Sequence, residues 1–292
     1  MLVHPGALFW RPDYPKMRQR PRSSKIVFPP QDDLQAEPLR YQSTTGIATD
    51  QIDELVARVW QISQTHETQA CPPIIGLYRA VVMTLLYIRQ NLNQAAVGDL
   101  FGVSQSTVSR VYRGILPLIG QALCLHVPKL KEAIRGRLVL VDGTDLPTGN
   151  RAGHEDNYSG KRHRSGLNIQ VAADTQGRLL GISTPLRGSM HDRKAFTGSD
   201  WEELLIDTPV IADSAYQGTH AITPRKKPRG GELSIGDKTN NTTISSLRSA
   251  VERCIGHLKN WKILATGYRG RLTELPNILR IITALEFYRL GW

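Results

Sequence analysis

Acidic residues are in short supply. The chain carries 26 aspartates and glutamates against 37 lysines and arginines, a formal net charge of +11. That imbalance disfavours basic partners and favours polyanions, of which nucleic acid is the commonest. Cysteine is scarce too: Cys71, Cys124 and Cys254 are the three in 292 residues. They lie too far apart for zinc-ligand spacing, and their odd count argues against a disulfide framework. They read as thiols in a reducing compartment. Long apolar runs are missing, with nothing near the ~20 residues needed to cross a bilayer. Nor does the N-terminus show an apolar segment followed by a small-residue cleavage site. The expectation is a cytoplasmic protein with no membrane partner.

What is present is ordinary for folded chains: 40% hydrophobic and 22% charged residues. A length of 292 residues allows one or two domains, each able to bury a core.

Residues 1–45 hold seven prolines (Pro5, Pro12, Pro15, Pro21, Pro29, Pro30, Pro38), with Arg11, Lys16, Arg18, Arg20, Arg22 and Lys25 between them. No helical period survives so many prolines, so an extended basic arm is expected. From Asp50 the pattern is helical, with Ile52, Leu55, Val56 and Val59 on one face. Further helices are predicted over 74–89, 93–101 and 104–116, with Pro117 interrupting the pattern and 121–135 helical again. At Gly136 the period changes. Leu138–Val141 suits a strand buried on both faces. Residues 168–174 and 179–184 read as two more strands joined by a hairpin turn, and 209–213 as a fourth. Helices return from Ser245. The domains are therefore placed at 1–45 (arm), 46–135 (all-α) and 136–292 (α/β).

Within the helical part, residues 94–111 have the features of a helix-turn-helix. Gly102 permits the left-handed backbone of a tight interhelical turn, and Gly98 lets two helices approach closely. Val97, Phe101, Val103, Val108 and Val111 can pack a shared core, and Ser104 can cap the second helix. That helix would present Gln105, Ser106, Thr107, Ser109 and Arg110 to base edges and phosphates of double-stranded DNA.

Three acids stand out by position. Asp142 ends the first buried strand and Asp213 the fourth, the usual place for site residues in α/β folds. If 138–141 and 210–212 are adjacent parallel strands, the two carboxylates meet. Glu252 lies on a helix whose apolar stripe is Leu247, Val251, Ile255 and Leu258. Arg248, Glu252 and Lys259 share a neighbouring stripe. Arg248 precedes Glu252 by four residues, the weaker order for a helix ion pair, so pairing alone explains this acid poorly. Converging carboxylates repel, and a hard divalent cation such as Mg²⁺ relieves that repulsion. Two such ions can activate a water or 3′-hydroxyl and stabilise a leaving oxygen. Asp145, Asp174 and Asp192 also lie near strand ends. Asp145, His191 and Asp192 are candidates to support the site from behind, and Asp174 more simply starts the hairpin turn.

At these residues the sequence resembles the DDE transposases of bacterial insertion sequence family five, related to the Harbinger group. The resemblance spans about Leu39 to Trp292. It rests on Val141-Asp142-Gly143-Thr144, Tyr158-Ser159-Gly160-Lys161, Gly188-Ser189-Met190-His191-Asp192, Ala212-Asp213-Ser214-Ala215-Tyr216, and Arg248, Glu252 and Lys259. It implies a ribonuclease H-like mixed sheet flanked by helices, preceded by the helix-turn-helix domain. It implies a DNA transposase and endonuclease that cleaves and joins strands at inverted-repeat ends of an insertion sequence, as a homo-oligomer on DNA. Asp142, Asp213 and Glu252 carry over as ligands of two Mg²⁺ ions, for which Mn²⁺ can substitute. Lys161, Arg248 and Lys259 carry over as groups near DNA. Where the family often has a tyrosine three residues before the arginine, this chain has Ser245. The alternative is a DNA-binding regulator or a structure-specific nuclease derived from such a transposase. The intact acids argue against the first, and the second would not need a helix-turn-helix.

Overall fold

The computed structural model describes residues 42–65, 75–124 and 127–291. The expected extended arm lies outside the described residues up to 41. Its last residues, Gln42–Thr45, form a helical turn, α1, instead of extended chain. The chain forms two compact units. One holds the described parts of 10–127 together with 260–263 and 277–291. The other holds 128–259 and 264–276. The division falls at 127/128, where the sequence pattern suggests 135/136, and the last helix joins the first unit.

The first unit is all-helical: α2 (Thr49–Thr65), α3 (Leu77–Gln90), α4 (Gln94–Phe101) and α5 (Gln105–Ala122). α5 packs on α2, α3 and α4 through Val108, Val111, Ile115 and Ile119, all fully buried. Pro117 does not interrupt α5, contrary to expectation. It is exposed, so its missing donor and its ring fall on the solvent side, where a lost intrahelical bond costs least. The helix expected over 121–135 is not one element: α5 ends at Ala122, and α6 covers only Leu130–Ala133. The unit is completed from the end of the chain. In α11 (Leu275–Leu290), Glu286 accepts from Trp261 Nε1 at 2.5 Å, and the Tyr288 hydroxyl donates to Glu54 at 2.8 Å. Arg89 covers the Trp261 ring at 5.0 Å, a contact between a cation and a π face.

The second unit is built on a mixed sheet. β1 (Val139–Pro147) runs antiparallel to β3 (Arg164–Ala173), in register from Leu140↔Ala173 to Pro147↔Gly166. β3 also pairs antiparallel with β2 (Tyr158–Ser159), β4 (Leu179–Ile182) and β5 (Leu186–Arg187). On the other edge β1 pairs in parallel with β6 (Val210–Ile211), and Ile222 bridges Ile211 beyond it. The expected parallel neighbours are thus found. β1 runs on through Asp142 because β3 offers it an unbroken ladder, so Asp142 lies within the strand and does not end it. The 175–178 turn is a hairpin, with Asp174 accepting from the backbones of Gln176 and Arg178 at 2.9 Å each. Gly177 there has φ +82°, the left-handed region open to glycine. α7 (Asp192–Gly198) packs on β3, and α8 (Trp201–Leu204) follows. α9 (Ile235–Lys259) packs on β1 and β3, and α10 (Lys262–Ala265) follows it. α9 starts ten residues before the expected helix, with Ser234 Oγ accepting from the Asp237 backbone at 3.0 Å.

Candidate active site

The parallel pairing of β1 with β6 sets the centre. Val139 faces Val210 and Leu140 faces Ile211. Two residues further on each strand are Asp142 and Asp213. A period of two keeps each on the same side as its paired predecessor, so the carboxylates are level neighbours. Asp213 turns the chain by accepting from the Ala215 backbone at 2.7 Å, which starts a 3-10 turn over Ser214–Tyr216. Asp142 accepts from the Gly143 backbone at 2.9 Å.

A third acid reaches this point from α7. An added Cβ on Gly143 would lie 2.5 Å from Asp192 Oδ1, so Asp192 sits directly over the residue after Asp142. Burial pushes the Asp142 carboxyl up to about 6. The charges of Asp213 and Asp192 push the same way, while Arg248 and the Gly143 hydrogen bond oppose them. Arg248 Nη2 stands 3.4 Å from Asp142 Oδ2, yet it does not offset desolvation and two like charges.

Beneath the acids lies a polar line that the sequence pattern did not single out. The Tyr216 hydroxyl donates to Gln170 Oε1 at 2.5 Å, and Gln170 Nε2 to Asn168 Oδ1 at 2.9 Å. Asn168 Nδ2 then donates to Asp192 Oδ1 at 2.8 Å. Asn168 and Gln170 stand two apart in the apolar stretch 167–173 of β3. That is the signal that could have found them, since buried amides need partners.

Glu252 is placed differently. The buried line of α9 runs through Ala250, Val251, Cys254 and Leu258, which turns residue 252 away from the sheet. Its side chain is 60% exposed against 20% for Asp142. Arg248, with Nη2 3.9 Å from Glu252 Oε1, stands between the two acids. Asp145 faces away into a cationic nest. Arg162 and Arg164 each approach it at 2.6 Å, and Lys259 Nζ donates to its backbone carbonyl at 2.7 Å. Burial opposes ionisation of Asp145, but Lys259, Arg162 and Arg164 outweigh it and hold the carboxyl below the usual range. Burial in turn pulls the Lys259 ammonium down, with Asp145 acting against it. Lys259 is therefore engaged within the fold. His191 is exposed and caps α7 through its ring nitrogen, 3.4 Å from the Arg193 backbone.

The donor set of Asp142, Asp213 and Asp192 is all hard oxygen, the type that Mg²⁺ or Mn²⁺ prefers. Neither Asp213 nor Asp192 makes an ion pair among the described residues, so the centre is short of positive charge, and the donor type, though not yet the spacing, suits a divalent cation. No three acids, histidines or cysteines are gathered at ligand spacing among the described residues.

In the helical unit, Gly102 takes φ 68° at the end of α4, and Ser104 Oγ accepts from the Thr107 backbone at 3.2 Å. A Cβ on Gly98 would lie 2.6 Å from the Val103 carbonyl oxygen, so glycine permits the close turn between α4 and α5. Val97, Val108 and Val111 are buried, Phe101 and Val103 partly so. Gln105, Ser106 and Arg110 are exposed at the start of α5, with Thr107 and Ser109 half-buried beside them. Lys161 is exposed in the turn before β3, as are Arg225, Lys226, Lys227 and Arg229 in the loop before α9. No helix among the described residues is long and apolar enough to cross a membrane.

Comparison with known proteins follows the same division. The chain is 28% identical over 231 residues to the assigned transposase of insertion sequence element IS112 from Streptomyces albus G, covering 78% of this chain and 87% of that one. It is 26% identical over 264 residues to the assigned transposase of insertion sequence element IS702 from Microchaete diplosiphon, covering 86% and 95%. A family model described as the helix-turn-helix of DDE superfamily endonuclease matches residues 77–125, which take in α4 and α5. A second, described as DDE superfamily endonuclease, matches residues 141–286, half of the chain, from the strand that carries Asp142 onward. With both parts matched in order, the chain belongs to the DDE superfamily endonucleases.

Proposed function

We propose that this protein is a DNA transposase that cleaves and joins strands at the inverted-repeat ends of an insertion sequence, of the family-five, Harbinger-related kind. The observation that carries the reading is the level pairing of β1 with β6, which sets Asp142 beside Asp213. The order of antiparallel strands continued by a parallel one, with the acids on the parallel pair, supports a ribonuclease H-like sheet. Asp142 and Asp213 would hold the metal, with Glu252 as the third acid that the resemblance assigns. Two Mg²⁺ ions bound there would supply activation of a water or 3′-hydroxyl and stabilisation of the leaving oxygen.

The rest falls to the chain itself. Asp142 must give up its proton before it can bind a cation, and Arg248 lowers the cost of doing so by its nearby charge. Gln105, Ser106, Thr107, Ser109 and Arg110 would read element ends in the major groove of double-stranded DNA. Lys161 and the 225–229 loop would hold phosphates and fix the position of the strand. We place its action in the cytoplasm, on the chromosome of a bacterium, as a homo-oligomer assembled on DNA.

The test is cleavage of a labelled element end with Mg²⁺, with and without EDTA. Asp142→Asn, Asp213→Asn and Glu252→Gln keep shape and remove charge. Each is expected to lower cleavage by at least ~10³-fold, the scale of losing one preorganised electrostatic group. End-specific binding should stay nearly intact. Cleavage that persists in EDTA would overturn the metal-dependent reading.

A further inference from the structure

Resting on that reading, we infer that Asp192 is a working carboxylate of the same centre: it supplies the cation site of Asp142 and Asp213 with a further negative charge, and the line Tyr216–Gln170–Asn168 holds it in place.

Three observations carry this. The first is proximity. Asp192 Oδ1 occupies the space over Gly143 that any larger residue would fill, at 2.5 Å from an added Cβ, with Cγ at 2.8 Å. The side chain of the residue after Asp142 is thus absent where Asp192 enters. The second is fixation. Asn168 Nδ2 binds both Asp192 Oδ1 at 2.8 Å and the Met190 carbonyl at 3.1 Å, so it ties the acid and the chain leading into α7 to one strand position. The donors and acceptors run in one direction. A carboxylate oxygen accepts and can end such a line, and here the Tyr216 hydroxyl begins it as a donor. Tyr216 closes the 3-10 turn that Asp213 opens. The line therefore joins the turn of one acid to the side chain of another across β3, and sets the spacing of Asp213 and Asp192 together.

The third is charge. Asp192 has no ion pair among the described residues, although three basic residues lie within two positions of it: His191, Arg193 and Lys194. Arg193 turns away and donates to the Gly218 carbonyl at 3.2 Å. The Asp192 carboxylate stands instead against Gly143, the residue after Asp142, and accepts from Asn168. An uncompensated acid held by a buried amide beside two others costs stability unless a cation joins them.

Direct Mn²⁺ binding to the full chain, followed by calorimetry or by the electron paramagnetic resonance of free Mn²⁺, tests this without any reaction. Asp192→Asn keeps an oxygen to accept from Asn168 and removes the charge. It is expected to weaken Mn²⁺ at least tenfold while leaving the metal-free melting temperature unchanged or higher. Gly143→Ala keeps the charge but displaces it, and is expected to weaken Mn²⁺ as well. Asp142→Asn serves as the reference for the centre. If Asp142→Asn weakens Mn²⁺ and Asp192→Asn, folded as the parent, binds it like the parent, the inference is overturned and the proposed function stands. If neither Asp142→Asn nor Asp213→Asn changes Mn²⁺ binding, the reading of the centre falls and takes the inference with it.

Discussion

Asp142 and Asp145, three residues apart on β1, titrate in opposite directions: burial and two neighbouring acids raise the first to about 6, and three cations lower the second. One turns toward acids and the other toward Arg162, Arg164 and Lys259. The same strand thus carries one acid that burial holds toward its protonated form and one that three neighbouring cations hold ionised.

This gives stability a two-sided dependence on pH in the metal-free protein. For Asp142, whose ordinary value is 3.8, the folded chain keeps a proton that the unfolded chain has lost. Its contribution is full below about pH 4 and is lost as pH rises through about 6, on the order of 3 kcal/mol in all. Asp145 contributes above about pH 4 and loses that contribution as pH falls through its lowered value. Urea unfolding at a series of pH values without metal should show stability falling from pH 4.5 to 7, and Asp142→Asn should flatten that fall. An unchanged slope in the variant would count against the assignment to Asp142.

The helix-turn-helix offers a sharper mechanical test. Gly98→Ala puts a methyl group 2.6 Å from the Val103 carbonyl, which belongs to the backbone and cannot rotate aside. The turn between α4 and α5 must open, at a cost of about 1–3 kcal/mol. End-specific binding should drop by tenfold or more, while Mn²⁺ binding stays as in the parent. Ser104→Ala removes only the cap and should cost about 1 kcal/mol. Equal binding by Gly98→Ala and the parent would separate this turn from DNA recognition.

The loop before α9 should act by charge alone. Arg225 is tied to Asp237 at 3.3 Å and exchanges hydrogen bonds with Asn241, whereas Lys226, Lys227 and Arg229 extend from an exposed stretch. Neutralising all four should weaken binding to every DNA sequence alike. It should also flatten the plot of log affinity against log salt by about 0.9 for each phosphate that is no longer neutralised. Unchanged affinity and slope would leave the loop without a role in binding.

The legible parts of the sequence were those with strong local chemistry. Gly102 and Ser104 announced the turn before α5, and the apolar runs ending in Asp142 and Asp213 announced adjacent strands. What escaped was set by partners distant in sequence. β1 continues through Asp142-Gly143-Thr144-Asp145 because β3 pairs with it, though the polar residues suggested a stop. Asn168 and Gln170 looked like ordinary strand residues until their amides met Asp192 and Tyr216. The first ten residues of α9 lack an apolar stripe and were missed for that reason. The facing of Glu252 depends on which side of α9 is buried. The stripe chosen from the sequence gave equal weight to Leu247 and Ile255, while in the fold Ala250 and Cys254 are buried and those two only partly so.

The place of α11 has a consequence for how the protein is made. Synthesis runs from the N-terminus, so α2 to α5 emerge well before Trp261, Glu286 and Tyr288, the residues that fill and close their core. α5 therefore waits on an unfinished unit through the whole making of the sheet. A chain cut before residue 277 keeps every acid of the centre but loses the partner of Trp261 Nε1, the Tyr288 carbonyl that Gln51 binds and the Tyr288 hydroxyl that binds Glu54. Such a fragment should fail at holding element ends while still binding Mn²⁺, a separation that limited proteolysis and parallel DNA and metal titrations would reveal. A late frameshift would for the same reason silence DNA recognition first, leaving the acids that mark the family in place.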